Sequence, residues 1–228
     1  DFEYGSHGDP LRFYADTDYK PVPLSISYGA GTGTATIDTS TVAYGTRSLK
    51  LGYTGNRGAL LTYRAGTFGA NYYRVCFNYD SLSDVSLLWA LAGTGATGTC
   101  FIRRAANTGL FSIFGNASAL LCALTTPITA NAWYRLEWFH ANIGAGGQAG
   151  TSSTELRLYA SPTATTPLET VRNVNGPLSI NPGTDHTQSL GSDSSGNNAP
   201  RVLYLDGFAF DSKTWLGPCS PTEQIFSN

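Results

Sequence analysis

The sequence predicts an all-β fold, a two-sheet antiparallel β-sandwich. Roughly a dozen short segments of alternating or apolar residues run along the 228 residues, separated by Gly, Pro, Asn and Ser. No stretch carries a helical apolar stripe of useful length. Matching signals stand near the two ends: Asp1-Phe2-Glu3-Tyr4-Gly5 opens the chain and Leu203-Tyr204-Leu205-Asp206-Gly207-Phe208-Ala209-Phe210 nearly closes it. Such a pairing places the two ends of one sandwich side by side. The expected organisation is one domain over residues 1–216, followed by a tail over 217–228.

Each strand has its own pattern. Thr34–Asp38, Ser48–Tyr53 and Ala59–Tyr63 come first. In Tyr72–Tyr79, Tyr73, Val75, Phe77 and Tyr79 share one face while Arg74 and Asn78 share the other, the period-2 alternation of a half-buried strand. Val85–Leu91 is more continuously apolar, as expected of a central strand. Cys100–Arg104 and Leu110–Phe114 flank Ala-Ala-Asn-Thr-Gly, a hairpin signal, and Ala119–Leu124 follows a Gly-Asn turn. Trp133–His140 is the strongest strand, with Tyr134, Leu136 and Trp138 on one face and Arg135 and Glu137 on the other. Glu155–Tyr159, Leu168–Val171, His186–Leu190 and Val202–Phe210 complete the set. Strands this short and this evenly spaced describe a sandwich or jelly roll. Ser220-Pro221-Thr222-Glu223 reads as a helix start, with a hydroxyl cap, Pro at the first position and Glu at the third.

Composition bounds the function. Hydrophobic residues make up 41%, enough for a sizeable core, and charged residues only 13%, about half the usual share. The polar surface therefore rests on Ser, Thr, Asn and 26 Gly, a mix typical of rigid extracellular or virion β proteins. The net charge is −2 with no basic run, which excludes non-specific binding to nucleic acid. No apolar run reaches the length of a membrane-spanning helix. The sequence has no Met, even at position 1, so a processed chain or a piece of something longer is expected.

The four Cys, at 76, 100, 122 and 219, form no Cys-x-x-Cys pair, which argues against zinc and redox motifs. They are either buried thiols or one or two disulfides in an oxidising compartment, with three full connectivities open. Gly93-Thr94-Gly95-Ala96-Thr97-Gly98 matches a dinucleotide fingerprint, but a strand follows where that motif needs a helix, so a hairpin loop is expected. Gly191–Asn198 is oxygen-rich but lacks the closing Glu of an EF-hand and reads as a surface loop. Catalytic signatures are thin. No Gly-x-Ser-x-Gly or His-Glu-x-x-His occurs, and Asp185 and His186, as strand neighbours, point to opposite faces.

The order of an aromatic-aromatic-Arg strand, hairpins, Trp133-Tyr134-Arg135-Leu136-Glu137, Leu156-Arg157-Leu158-Tyr159 and the closing Asp206–Phe210 resembles concanavalin A-like jelly rolls, with laminin-G-like domains nearest. Gly207 stands where that closing strand has a second acid. The resemblance implies a structural Ca²⁺ held by Glu3 and Asp206, since hard oxygens suit that ion and two carboxylates brought together without a cation repel. The laminarinase-like members carry Glu-x-Asp-x-x-Glu, which none of the five Glu here forms. Arg103, His140 and Tyr134 match part of the alginate-lyase set, but the Gln-x-His strand and the Tyr-rich closing strand are absent.

Aromatics carry the best argument for binding. With 13 Tyr, 11 Phe and 4 Trp, the chain has rings to spare for stacking on the apolar C–H faces of sugars, although aromatics also fill cores. The candidates are Trp89, Tyr72, Trp133 and Trp215, with Arg103 to hold polar groups. The leading expectation is a non-catalytic extracellular or virion-surface module that recognises cell-surface glycan or a neighbouring structural protein. The rivals are a structural assembly role, with further copies of the chain as partners, and a polysaccharide lyase or glycoside hydrolase.

Overall fold

The computed structural model describes residues 25–28, 32–54, 59–65, 71–83, 86–93, 99–115, 119–142, 152–176, 186–191, 201–211 and 213–219. Among these are fourteen strands and no helix. In order they are β1 (Ser25–Tyr28), β2 (Thr32–Asp38), β3 (Ser48–Thr54), β4 (Ala59–Ala65), β5 (Asn71–Tyr79), β6 (Ser86–Gly93) and β7 (Thr99–Arg104). There follow β8 (Phe111–Phe114), β9 (Leu120–Ala123), β10 (Tyr134–Asn142), β11 (Ser152–Tyr159), β12 (Glu169–Gly176), β13 (His186–Gly191) and β14 (Arg201–Asp211). They form two seven-stranded sheets. The front sheet runs β1-β4-β13-β6-β7-β8-β9 and the back sheet β12-β11-β10-β5-β14-β3-β2. Neighbouring strands are antiparallel.

The expected strands between residues 34 and 210 are present, with ends moved by a residue or a few. β7 pairs antiparallel with β6, the strand pairing the hairpin expectation required, and residues 94–98 between them lie outside the described residues. β1 was not anticipated: Ser-Ile-Ser-Tyr is an edge strand too short to show a period. The opening Asp1–Gly5 signal, the Gly191–Asn198 loop beyond Gly191 and the Ser220–Glu223 helix start lie outside the described residues.

The core lies between the sheets. Tyr73, Val75 and Phe77 of β5, Leu136 and Trp138 of β10, and Leu203 and Leu205 of β14 face Trp89, Ile102, Phe111 and Ile113 of the front sheet, all fully buried. Aromatic contacts join the layers: Tyr73–Trp89 at 5.2 Å, Phe77–Phe111 at 5.2 Å and Trp89–Phe208 at 5.4 Å between centroids. Such pairs add about 0.5–1.5 kcal/mol each beyond the area they bury.

The outward face of β5 and β10 departs from the expected half-buried pattern. Arg74, Arg135 and Glu137 are as buried as the core, at 1%, 0% and 0% exposed. The cause is a strap, residues 213–219, which lies against the outside of the back sheet. The Arg74 guanidinium donates through Nη1 to the carbonyls of Gly217 and Pro218, each at 3.1 Å, and through Nε to that of Gly207. The Cys219 N–H and Arg135 Nη1 both donate to the Pro162 carbonyl. Residues on either side of the 216/217 division therefore lie on one face of the sheet.

Gly207 is a backbone requirement. Between Asp206, opposite Cys76, and Ala209, opposite Arg74, β14 carries one residue more than β5, a bulge. Gly207 takes φ +55, and a Cβ there would stand 2.7 Å from Cys219 Sγ and 3.0 Å from the Tyr44 ring. Its bulge lets the strap approach.

The edges are stitched together. Glu169 at the start of β12 accepts from the backbone N–H of Thr125 and Thr126, just beyond β9, and Asn173 Nδ2 donates to the Leu121 carbonyl at 2.6 Å. These bonds tie the edge strand of the back sheet to that of the front and blunt both as pairing templates. Partial burial works against the charged form of Glu169, but the Thr125 and Thr126 donors outweigh it and hold the carboxyl below its ordinary range.

Two outcomes are expected. Gly207→Ala should destabilise the fold by about 1–3 kcal/mol, from positive φ and overpacking together, as read by urea unfolding with m unchanged. A carboxyl with a depressed folded pKa stabilises the fold above its unfolded pKa and loses that contribution as pH falls through the folded value. Glu169→Gln should therefore be less stable than the parent at pH 7, with the gap closing between about pH 5 and pH 3.

Candidate functional site

The two outer faces of the sandwich differ in kind. The back face holds charge under the strap. Glu137 Oε1 lies 3.0 Å from Arg135 Nε, both side chains 1% exposed, and Tyr159 Oη donates to Glu137 Oε2. In register, Glu137 stands between Arg74 on β5 and Arg157 on β11. Burial raises the Glu137 carboxyl above its ordinary value, against the pull of Arg135. The strap's Trp215 lies over Arg157, 3.7 Å from guanidinium carbon to ring centroid, and meets Tyr72 at 5.1 Å and Phe139 at 6.2 Å. The strap thus closes this face.

The front sheet carries an aromatic rung on its outer side. On β7, Cys100 and Ile102 point into the core, so Phe101 and Arg103 point out. Phe101 sits directly opposite Phe114 of β8, and Phe114 opposite Leu120 of β9, so three neighbouring strands present one apolar rung. The two rings are stacked at 5.2 Å and 17°, with the Arg103 guanidinium 4.8 Å from one centroid and 5.4 Å from the other. Phe101, Arg103 and Phe114 are half-buried, and Leu120 is 60% exposed. Among the described residues no carboxylate pairs with Arg103. Its remaining N–H donors can meet an acceptor on a ligand lying along the rung.

The expected site residues are distributed over several places. Arg103 belongs to the front rung. Tyr72 and Trp215 do come together, but under and within the strap at the back. Trp133 is half-buried in the turn before β10, at the opposite end of that strand from Phe139 and about 20 Å away along it. Trp89 is corrected outright. It is 0% exposed and packed among Tyr73, Trp138 and Phe208, so it has no ring face for a sugar. Its apolar run concealed which face it takes. Phe101, Phe114 and Leu120 were missed as site residues, although the period-2 pattern of Cys100–Arg104 beside a hairpin already set Phe101 and Arg103 apart from the core face.

Asp206 does not suit the expected calcium. Its carboxylate is buried and accepts from the N–H groups of Ala43 at 3.1 Å, Tyr44 at 3.4 Å and Gly207 at 2.8 Å, a donor setting opposite to the oxygen cage a cation needs. Glu3 lies outside the described residues. Among the described residues no group of three or more His, Cys, Asp and Glu is placed to hold a metal. The partial lyase set does not converge either: Arg103 faces out from the front sheet, while His140 and Tyr134 lie on the core side of β10 with Trp138.

The architecture is a jelly-roll β-sandwich. Solved structures similar to this chain include an endo-β-1,4-glucuronan lyase from the fungus Trichoderma reesei, at 14% identity over 91% of this chain and 94% of that chain, with TM-score 0.56. A marine alginate lyase from Aplysia kurodai is similar at 11% identity over 77% of this chain and 87% of that one, TM-score 0.57. A prokaryotic β-1,3-1,4-glucanase (lichenase) derived from a mouse hindgut metagenome is similar at 13% identity over 86% and 96%, TM-score 0.51. No known family matches the sequence, and no curated protein matches it.

One measurement tests the back face. Arg135→Met should cost about 3–5 kcal/mol, because it leaves Glu137 buried without its nearest cation, and Glu137→Gln in the same chain should restore part of the loss.

Proposed function

We propose that this chain is a non-catalytic glycan-recognition module, working outside the cell, whose binding surface is the front rung of Phe101, Phe114 and Leu120 with Arg103. The observation that carries the reading is the cross-strand Phe101–Phe114 pair held in parallel under a guanidinium on an otherwise low-charge surface. Rings fixed in this way offer a flat apolar platform to sugar C–H faces, and Arg103 adds donors for hydroxyl or carboxylate oxygens. Adjacent strands are about 4.8 Å apart, so the rung extends about 10 Å across β7, β8 and β9, room for a disaccharide lying across the strands. The similar solved structures named above are enzymes of glucuronan, alginate and β-glucan, which supports a polysaccharide as the ligand class. The absence of catalysis is supported by how the described glutamates are used: Glu137 pairs with buried Arg135, Glu155 with Arg157, and Glu169 caps Thr125 and Thr126. Tyr72 and Trp215 serve the strap in this reading.

The experiment is affinity electrophoresis or calorimetry of the full chain against alginate, glucuronan and mixed-linkage β-glucan. Phe114→Ala and Arg103→Ala should each weaken binding at least about tenfold, a loss of about 1.4 kcal/mol, with the melting temperature kept within a few degrees. Tyr72→Ala should leave binding unchanged. Retained binding in both front-face variants overturns the site. Release of unsaturated or new reducing ends from any polysaccharide overturns the non-catalytic reading. A chain that binds no glycan but elutes as a dimer, reverting to monomer with Leu120→Asp, would assign the rung to assembly instead.

A further inference from the structure

Cys76 lies on β5 and Cys219 at the end of the described strap, 143 residues apart in sequence. Their sulfurs are 2.6 Å apart and both residues are buried. We propose that Cys76 and Cys219 are joined by a disulfide that fastens the strap to the back sheet, while Cys100 and Cys122 stay as thiols. The inference is independent of the glycan reading, because it concerns the opposite face of the sandwich.

Of the pairings the sequence left open, geometry brings Cys76 and Cys219 together. Cys76 alternates with Val75 and Phe77, so it points away from the core toward the strap. Cys100 belongs to the core cluster between the sheets, and Cys122 packs against that cluster from β9. The back sheet itself separates the two sets. An S–S bond is about 2.0 Å long, so the outer pair closes with a movement smaller than a bond length.

The surroundings also set the chemistry. Burial pushes the Cys122 thiol up to about 11 and Cys100 well above its ordinary value, which keeps both protonated and slow to exchange. With glutathione disulfide as oxidant, the Cys219 thiolate attacks one sulfur and displaces one glutathione thiolate. Cys76, giving up its proton, then attacks Cys219 Sγ of the mixed disulfide and displaces the second. The protein loses two protons and two electrons, and the oxidant becomes two thiols. Exchange takes place before the strap docks, since docking buries both sulfurs.

The full chain refolded in a glutathione redox buffer, alkylated and digested without reductant, should yield one cross-linked peptide pair holding Cys76 and Cys219, with Cys100 and Cys122 alkylated. Four alkylated cysteines, or a cross-link that includes Cys100 or Cys122, would overturn the proposal. Cys219→Ala provides a second reading. It should melt roughly 10 °C or more below the parent under oxidising conditions, and the gap should close when reductant is added. Equal melting under oxidising conditions would count against the bond even if its peptide were found in trace.

Discussion

The fixed contact between the layers is the aromatic packing of Trp89 against Tyr73 and Trp138, at 5.2 and 5.9 Å. Trp89 comes from the front sheet and the other two from neighbouring strands of the back sheet, so this contact sets both the spacing and the rotation of the sheets. Strand geometry then leaves little freedom. Once Tyr73, Val75 and Phe77 are committed inward, Tyr72, Arg74, Cys76 and Asn78 must point outward. The same holds on β7, where Cys100 and Ile102 commit Phe101 and Arg103 to the front surface. Every feature of the two outer faces follows from which residues the core has claimed.

The faces then meet opposite problems. At the back, a chain with few charges concentrates Arg74, Arg135 and Arg157 with Glu137, Glu155 and Asp206 on four adjacent strands, where neither an exposed surface nor an apolar cover would be neutral in cost. Main-chain dipoles of the strap and of neighbouring backbone segments resolve this. Carbonyls of Gly207, Gly217 and Pro218 accept from Arg74, that of Pro162 accepts from Arg135, and N–H groups of Ala43, Tyr44 and Gly207 donate to Asp206. Peptide groups balance charge without importing further charge, and they fit only where the backbone comes close. That is why Gly207, in a bulge where a Cβ would crowd Cys219 and Tyr44, lies at the centre of this region. At the front, the Arg103 guanidinium lies over the two rings of Phe101 and Phe114, and among the described residues no carboxylate pairs with it.

Legibility follows the same division. Strands such as β5 and β10 were readable because one-sided burial imposes a period of two on residue type, and Tyr134, Leu136 and Trp138 show it plainly. Trp89 was not, since β6 is apolar throughout and its pattern does not reveal a face. The strap was invisible for a different reason. Lys-Thr-Trp-Leu-Gly-Pro-Cys has no period, and its partners Arg74 and Cys76 are some 140 residues earlier. Gly207 looked like an acid lost from a metal site, whereas the structure uses its missing Cβ. The front rung was half legible: the β7–β8 hairpin was apparent, but that Phe101 meets Phe114 depends on a register set by the turn.

That register gives the front surface its character. Phe101, Phe114 and Leu120 are aligned by backbone hydrogen bonds across three strands, and Arg103 is held over the two rings by their quadrupoles. In the proposed role as a glycan platform, nothing in the rung has to be ordered on binding, so the entropy that a loop-built site gives up has already been lost in folding. A surface of this kind is flat, encloses little of its ligand and draws its selectivity from spacing. Platforms repeated at the strand separation, about 4.8 Å, match extended chains whose units recur on a similar scale and discriminate poorly against isolated small molecules. The fold thus leaves its aromatic rung on the outer side of the front sheet and buries its charges beneath the strap at the back.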